Sequence, residues 1–192
     1  MKHLELKKIV LIGASTGGPG QIKKIINSLP KLQSTSVIVA QHMVDGFMQS
    51  FASRLCDTCS NTVSVVEDNQ GLLPNTIYII ESLTTLRINK DTLLFKKQTS
   101  LKDSYNPDIN AIFNSFVNFT KDIEIMSVIL TGIGDDGVEA CKNLSLNGAR
   151  CITESEASAI VDGMPSRVRA EVADVEVYNI NEIIKIISEF CE

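Results

Sequence analysis

Short apolar runs rich in Val and Ile recur along this chain, and most are followed by apolar residues spaced for one face of a helix. That alternation restricts the fold more than any other feature. Lys8 to Gly13 (KIVLIG) reads as a buried strand ending in glycine, and Ile22, Ile25, Ile26 and Leu29 mark a helix over 19–29. Ser36 to Gln41 (SVIVAQ) is the next strand, and Phe47, Met48, Phe51, Ala52 and Leu55 belong to the helix after it. Met126 to Thr131 (MSVILT) is a third strand. It enters the loop Gly132-Ile133-Gly134-Asp135-Asp136-Gly137, then a helix carrying Val138, Cys141 and Leu144 and closed by Gly148. Arg150 to Thr153 and Val175 to Tyr178 add two strands, and 181–191 a last helix with Ile183, Ile184, Ile187 and Phe190 on one side. Continuous apolar strands alternating with helices belong to a sheet covered on both faces. The expected fold is α/β, a doubly wound, mostly parallel sheet with flanking helices.

The middle of the chain breaks this rhythm. Val63 to Val66, Thr76 to Ile80, Leu83 to Ile88 and Thr92 to Phe95 are short and close together, with Asn89-Lys90-Asp91 as a turn between the last two, so a small antiparallel β insertion is expected there. Ser100 to Pro107 is polar and reads as a loop. The stripe Ile109, Ile112, Phe113, Phe116, Val117 that follows is expected to be core rather than a partner groove. With 192 residues, 44% of them hydrophobic, and neither repeat nor linker, the range 1–192 is expected to form one domain with a sizeable core.

Charge and cysteine usage remove whole function classes. The net charge is −5 and the lysines are scattered, which argues against a nucleic-acid partner. The apolar run Ile9 to Ile12 is too short for a signal-peptide core or a membrane span, so a cytoplasmic protein without direct membrane insertion is expected. Five cysteines without regular spacing suit free thiols in a reducing compartment. Cys56-Asp57-Thr58-Cys59 is the one pair to weigh as a metal or redox site. A structural zinc would need two more ligands and the chain has only two histidines, so ordinary buried thiols are the preferred reading. No metal and no cofactor are expected.

Three strands lead into polar groups: Ser15 after the first, His42 after the second, Asp135 and Asp136 after the third. Parallel strands joined by crossover helices point the same way, so these groups lie along one edge of the sheet, where α/β proteins place their sites. Gly13-Ala14-Ser15-Thr16-Gly17 matches G-x-S-x-G, whose small residues permit a tight turn that exposes a nucleophilic hydroxyl. The same turn also suits a phosphate cradle or a plain connection. A serine nucleophile needs a base, and since His3 lies in a polar terminus, His42 is nearly the only choice. An aspartate would hold the imidazole tautomer and stabilise the imidazolium, but pattern alone does not separate Asp135 from Asp136, and either could cap the next helix. The backbone N–H of Thr16 is the natural first oxyanion donor, and the segment 132–134 allows a second.

Taken in order, Gly13-Ala14-Ser15-Thr16-Gly17-Gly18, Gln41-His42-Met43, the run Leu130 to Gly137, Glu156-Ala157-Ser158 and Gly163-Met164-Pro165 resemble the catalytic domain of CheB-type chemotaxis protein-glutamate methylesterases. The likeness runs from about residue 8 to the C-terminus. The resemblance implies a serine hydrolase that removes methyl groups from glutamate γ-methyl esters on the cytoplasmic helical region of methyl-accepting chemotaxis receptors, with glutamine deamidation as a second activity. It implies Ser15, His42 and Asp136 as the triad, with Asp135 at a position of varied identity, and the backbone N–H groups of Thr16 and Ile133 as the oxyanion hole. To the segment from Glu156 to Pro165 it assigns no chemistry.

The chain departs from that family in three places. It has no N-terminal receiver domain, so control by phosphorylation within the same polypeptide is expected to be absent. Ile80-Glu81-Ser82-Leu83-Thr84-Thr85 stands where the family often has an Ala-Pro-Gly stretch with a histidine, and Val44 where a proline often follows His-Met. Two other readings compete with this one. One is a Rossmann-like nucleotide-binding module, disfavoured because Ser15 and Gln41-His42 occupy the places of the middle glycine and the ribose-binding acid. The other is a catalytically silent adaptor that binds receptors, disfavoured because no member of the implied triad is missing.

Overall fold

Strand β1, Lys8–Ala14, is buried from Ile9 onward, and all seven residues of β2, Thr35–Gln41, are buried. Only strands with a layer on each side show that pattern. The computed structural model describes residues 6–44, 46–90, 92–98 and 106–192. Helix α1 (Gly18–Ser28) links these two strands, and α2 (Met48–Cys56) and β3 (Thr62–Val65) follow. Next come β4 (Thr76–Ile79), β5 (Leu83–Asn89), β6 (Thr92–Gln98) and α3 (Ile109–Asn114), the last extended by a 3₁₀ turn at Val117–Phe119. The chain continues through β7 (Glu124–Ile129), α4 (Val138–Leu146), β8 (Arg150–Glu154), α5 (Gly163–Glu171), β9 (Glu176–Tyr178) and α6 (Ile180–Cys191).

Seven strands form one parallel sheet in the order β3-β4-β2-β1-β7-β8-β9, and β5 and β6 form a separate antiparallel pair. The chain therefore builds outward from β1 on one side and returns beside it with β7, so strand ends from both halves of the sheet meet at one edge. Alternation sorts the side chains into two cores. Val10 and Ile12 of β1 pack with Ile22 and Ile25 of α1, Phe51 of α2 and Ile183 of α6. Ile9 and Leu11 face the opposite layer, with Ile109 and Phe113 of α3, Leu144 of α4 and Phe95 of the hairpin. The doubly wound fold expected from the sequence is present.

The insertion is smaller than expected. β3 pairs parallel with β4, and β4 parallel with β2, so two of the four short strands belong to the main sheet. β4 is only four residues long, but its Ile77 and Ile79 are fully buried in the core shared with α1 and α2, which draws it into the sheet. In the hairpin, Asn89 pairs with Thr92 and Lys90 is left-handed with φ 56°, while Asp91, the other turn residue, lies outside the described residues. His3 and most of the polar segment before Pro107 also lie outside them. The stripe at 109–117 is core as expected, with Ile109, Ile112, Phe113 and Phe116 buried. Cys141, Cys151 and Cys191 are buried thiols, but Cys56 is exposed and Cys59 half-buried, so the buried-thiol expectation fails for that pair.

Candidate active site

Ser15 follows directly on β1, held by its backbone on three sides. Its N–H donates to the Thr131 carbonyl at 3.0 Å, while its own carbonyl accepts from the N–H of Gly18 and from Nε2 of Gln41, both at 2.9 Å. The turn so closed has Gly17 as its third residue with φ 85° and ψ −14°, a conformation that L side chains rarely adopt. A Cβ there would also sit 2.8 Å from Ile160. The G-x-S-x-G reading thus has a physical basis: the turn needs glycine, and Pro19 then stands in the first turn of α1, where a missing N–H does no harm.

His42 stands one residue beyond the end of β2, and its N–H donates to the Ala14 carbonyl at 2.9 Å, which continues the β1–β2 register past Ala14 and Gln41. Ser15 and His42 are therefore neighbours across two adjacent strand ends, and both line one cavity of about 400 Å³ with Thr16, Gln41, Val44 and Phe47. The imidazole Nε2 lies 2.7 Å from Oδ2 of Asp136. That carboxylate is only 1% exposed. It is held by the first turn of α3, where Ile109 N–H donates to Oδ2 at 2.8 Å and Asn110 N–H to Oδ1 at 2.9 Å. Three donors fill a buried carboxylate, and a buried charge needs such partners.

Asp136 stands in the loop between β7 and α4, where the sequence puts it. It lies seven residues beyond Ile129, in a second turn whose Gly137 has φ 94° and ψ −14°. Asp135 is exposed at the start of that turn and gives its carbonyl to the Val138 N–H at 3.1 Å. The geometry thus separates the two aspartates that pattern could not.

Ile133 follows directly on a residue that is anchored twice. Gly132 donates to the Val161 carbonyl at 2.9 Å and accepts from Met164 N–H at 2.8 Å. A Cβ on Gly132 would lie 2.7 Å from the Ser15 Cβ and collide with the Met164 sulfur, so the loop reaches Ser15 only because residue 132 has no side chain. Thr131 ties the same region together: its Oγ1 donates to the Thr16 carbonyl at 2.9 Å, and its N–H donates at 3.0 Å to Oε2 of Glu154. Glu154 is fully buried, and its Oε1 accepts from Gln21 Nε2 and Ser158 Oγ, each at 2.9 Å.

Several participants were not picked out from the sequence. Helix α5 is one, since its short Gly-Met-Pro start and sparse apolar residues (Met164, Pro165 and Val168 alone are buried) give no clear helical stripe. Asp108 is another. It caps α3 by accepting from the Ala111 N–H at 2.7 Å, and burial and then the Asp136 charge push its carboxyl above the usual range, with His42 acting in the opposite sense. Asn and Asp before an apolar stripe are cap signals, but nothing local announces that the capped turn also feeds a carboxylate. Among the described residues, no group of three or more His, Cys, Asp and Glu side chains is placed to hold a metal ion.

Fold and site together define a doubly wound α/β protein with a serine and a His–Asp pair at the carboxyl edge of its parallel sheet. Comparison with known proteins narrows that class. The family described as CheB methylesterase matches residues 10–187. A protein-glutamate methylesterase/protein-glutamine glutaminase of Caldanaerobacter subterraneus is 35% identical over 185 residues, covering 92% of this chain and 50% of that protein. One of the same name from Halalkalibacterium halodurans is 35% identical over 162 residues, 83% of this chain and 46% of that one. The crystal structure of the Thermotoga maritima CheB methylesterase catalytic domain superposes with a TM-score of 0.87 at 32% identity, covering 95% of this chain and 98% of that one. The chain belongs to the CheB methylesterase family, and it spans about half the length of the curated relatives it matches.

Proposed function

We propose that this chain is a serine esterase that hydrolyses glutamate γ-methyl esters on the cytoplasmic helices of methyl-accepting chemotaxis receptors, yielding glutamate and methanol. Hydrolysis of glutamine side-chain amides to glutamate and ammonia is its second reaction. The whole range 1–192 serves as one catalytic domain working in the cytoplasm, without metal or cofactor. Among the described residues no helix is long and apolar enough to cross a membrane, in keeping with action on a receptor from outside the bilayer. The relatives' names support the reaction, and the observation that carries it is the 2.7 Å contact between His42 Nε2 and the buried Asp136 beside Ser15.

In this reading Ser15 Oγ attacks the ester carbonyl while His42 takes its proton. Because Nε2 is committed to Asp136, the proton passes to Nδ1, the reverse of the arrangement in chymotrypsin-type proteases. Asp136 keeps its charge and stabilises the imidazolium. The N–H groups of Thr16 and Ile133 hold the oxyanion of the tetrahedral intermediate. On collapse the methoxy oxygen takes the proton from His42 and leaves as methanol, and water activated by the same imidazole hydrolyses the acyl-serine.

Methanol release from methylated receptor membranes, wild type against Ser15→Ala, tests the proposal. Wild-type release with a drop of about 10⁴-fold or more in the variant is expected. Equal rates would remove Ser15 from the mechanism, and no release by either protein would favour the silent adaptor.

A further inference from the structure

We propose that Gln41 is a positioning residue that aims the Thr16 N–H at the developing oxyanion, an inference that rests on the esterase reading above. Gln41 is the last residue of β2 and only 1% exposed. Its Nε2 donates to two backbone carbonyls at once, that of Ser15 at 2.9 Å and that of His42 at 2.7 Å. A single amide group therefore joins the main chain of the nucleophile to that of the base.

The consequence for Thr16 follows from peptide geometry. The Ser15 carbonyl and the Thr16 N–H are opposite ends of one planar trans unit, so fixing where the oxygen points fixes where the N–H points. That oxygen is held twice, by Gln41 and by the Gly18 N–H at 2.9 Å. The next peptide is anchored as well, because the Thr16 carbonyl accepts from Thr131 Oγ1 at 2.9 Å. Donation to the Ser15 carbonyl also polarises the shared peptide and makes its N–H a stronger donor. Both effects favour the charged oxyanion over the neutral ester, so their loss lowers kcat and leaves KM nearly unchanged.

A side chain present only to fill space would not look like this. Gln41 Oε1 is buried without a hydrogen-bond partner, a cost that an apolar residue of the same size avoids. Nε2, facing two carbonyls, is the end that must be a donor, which turns Oε1 toward Gly18. A Cβ at Gly18 would collide with it, so the helix start has given up a side chain to admit the amide.

Gln41→Met keeps the bulk and removes the donor, and Gln41→Glu keeps the shape and sets an acceptor against two carbonyls. The probe is a soluble peptide bearing a glutamate γ-methyl ester, with turnover normalised to the endpoint titre of Ser15 by a fluorophosphonate. In both variants kcat falls about 10- to 100-fold while KM stays within about threefold. Affinity for phenylboronic acid, whose serine adduct mimics the tetrahedral intermediate, falls in parallel. Should Met at this position prevent folding, the Glu variant carries the same readouts. Wild-type kcat and boronate affinity in the folded variants, or a loss confined to KM, would overturn the inference. Ser15→Ala assayed alongside separates the two layers: turnover retained there sinks the esterase reading itself, whereas an inactive Ser15→Ala beside a fully active Gln41→Met sinks only the role of Gln41.

Discussion

Asp136 accepts hydrogen bonds from His42, Ile109 and Asn110 through both of its oxygens, and an asparagine amide accepts through only one. Asp136→Asn therefore turns an NH₂ group against a donor at a buried place. A loss of turnover of about 10³- to 10⁴-fold is expected, together with about 1–3 kcal/mol of stability. The exposed Asp135 makes its turn through the backbone, and Asp135→Asn should keep turnover within about twofold. Methanol release by the two variants ranks them, and the opposite order would hand the acid's role to Asp135. Gly132 gives a test of shape with no change of charge. Its methyl group in Gly132→Ala would meet the Ser15 Cβ at 2.7 Å and the Ser15 nitrogen at 3.0 Å, so the loop bearing Ile133 must withdraw. Turnover drops at least about 10²-fold with about 1–3 kcal/mol of stability lost, and an alanine variant with normal activity and melting temperature would refute the close approach. Ser15 and His42 were legible in the sequence because turn chemistry and the scarcity of histidine mark them locally. Gln41 as a strut and Glu154 as an anchor were not, since their partners lie on backbone or on residues far along the chain.

The short helix α3 links stability to the site. Its first N–H groups hold Asp136 while Asp108 caps it, which brings two carboxyls to one helix end. Burial and the repulsion of Asp136 raise the Asp108 carboxyl. A raised acid binds more proton in the native state than in the unfolded chain, so its contribution to stability falls as pH climbs through the window between the unfolded and folded values. Asp108→Asn keeps a good cap and removes that penalty. The variant should be more stable than wild type at neutral pH by under about 1 kcal/mol, given the partial exposure of the group, and the gap should close as pH drops below the ordinary carboxylate range. Urea melts at several pH values would measure it, and a gap that widened toward acid would contradict the assigned cause. Legibility at this scale was uneven for a physical reason. Long stripes such as Ile183, Ile187 and Phe190 of α6 announce a helix, whereas α5 buries too few residues to do so. The strands β3 and β4, only four residues each, carry no mark that separates parallel from antiparallel pairing.

The doubly wound architecture was readable from the alternation alone, because a parallel sheet imposes both its continuous apolar strands and its crossover helices. What the alternation does not encode is that the two faces of the sheet have different duties. Ile183 of α6 and Ile109 of α3 are each fully buried, one in each core. Truncation of either to alanine leaves a void and should cost about 2–5 kcal/mol. Only Ile109, however, touches the machinery: its side chain lies 3.0 Å from where a Cβ on Gly13 would stand and 2.8 Å from one on Gly137, and its N–H holds Asp136. A cavity there loosens the end of β1 at Gly13 and the turn at Gly137, which present Ser15 and Asp136, while one beside Ile183 leaves them packed. Turnover per titrated Ser15 should then fall about 10-fold or more in Ile109→Ala and stay near wild type in Ile183→Ala, at comparable losses in urea midpoint. Equal losses of turnover in the two variants would mean that the sheet transmits packing defects from either face to its carboxyl edge, and that no single layer sets the geometry of the site.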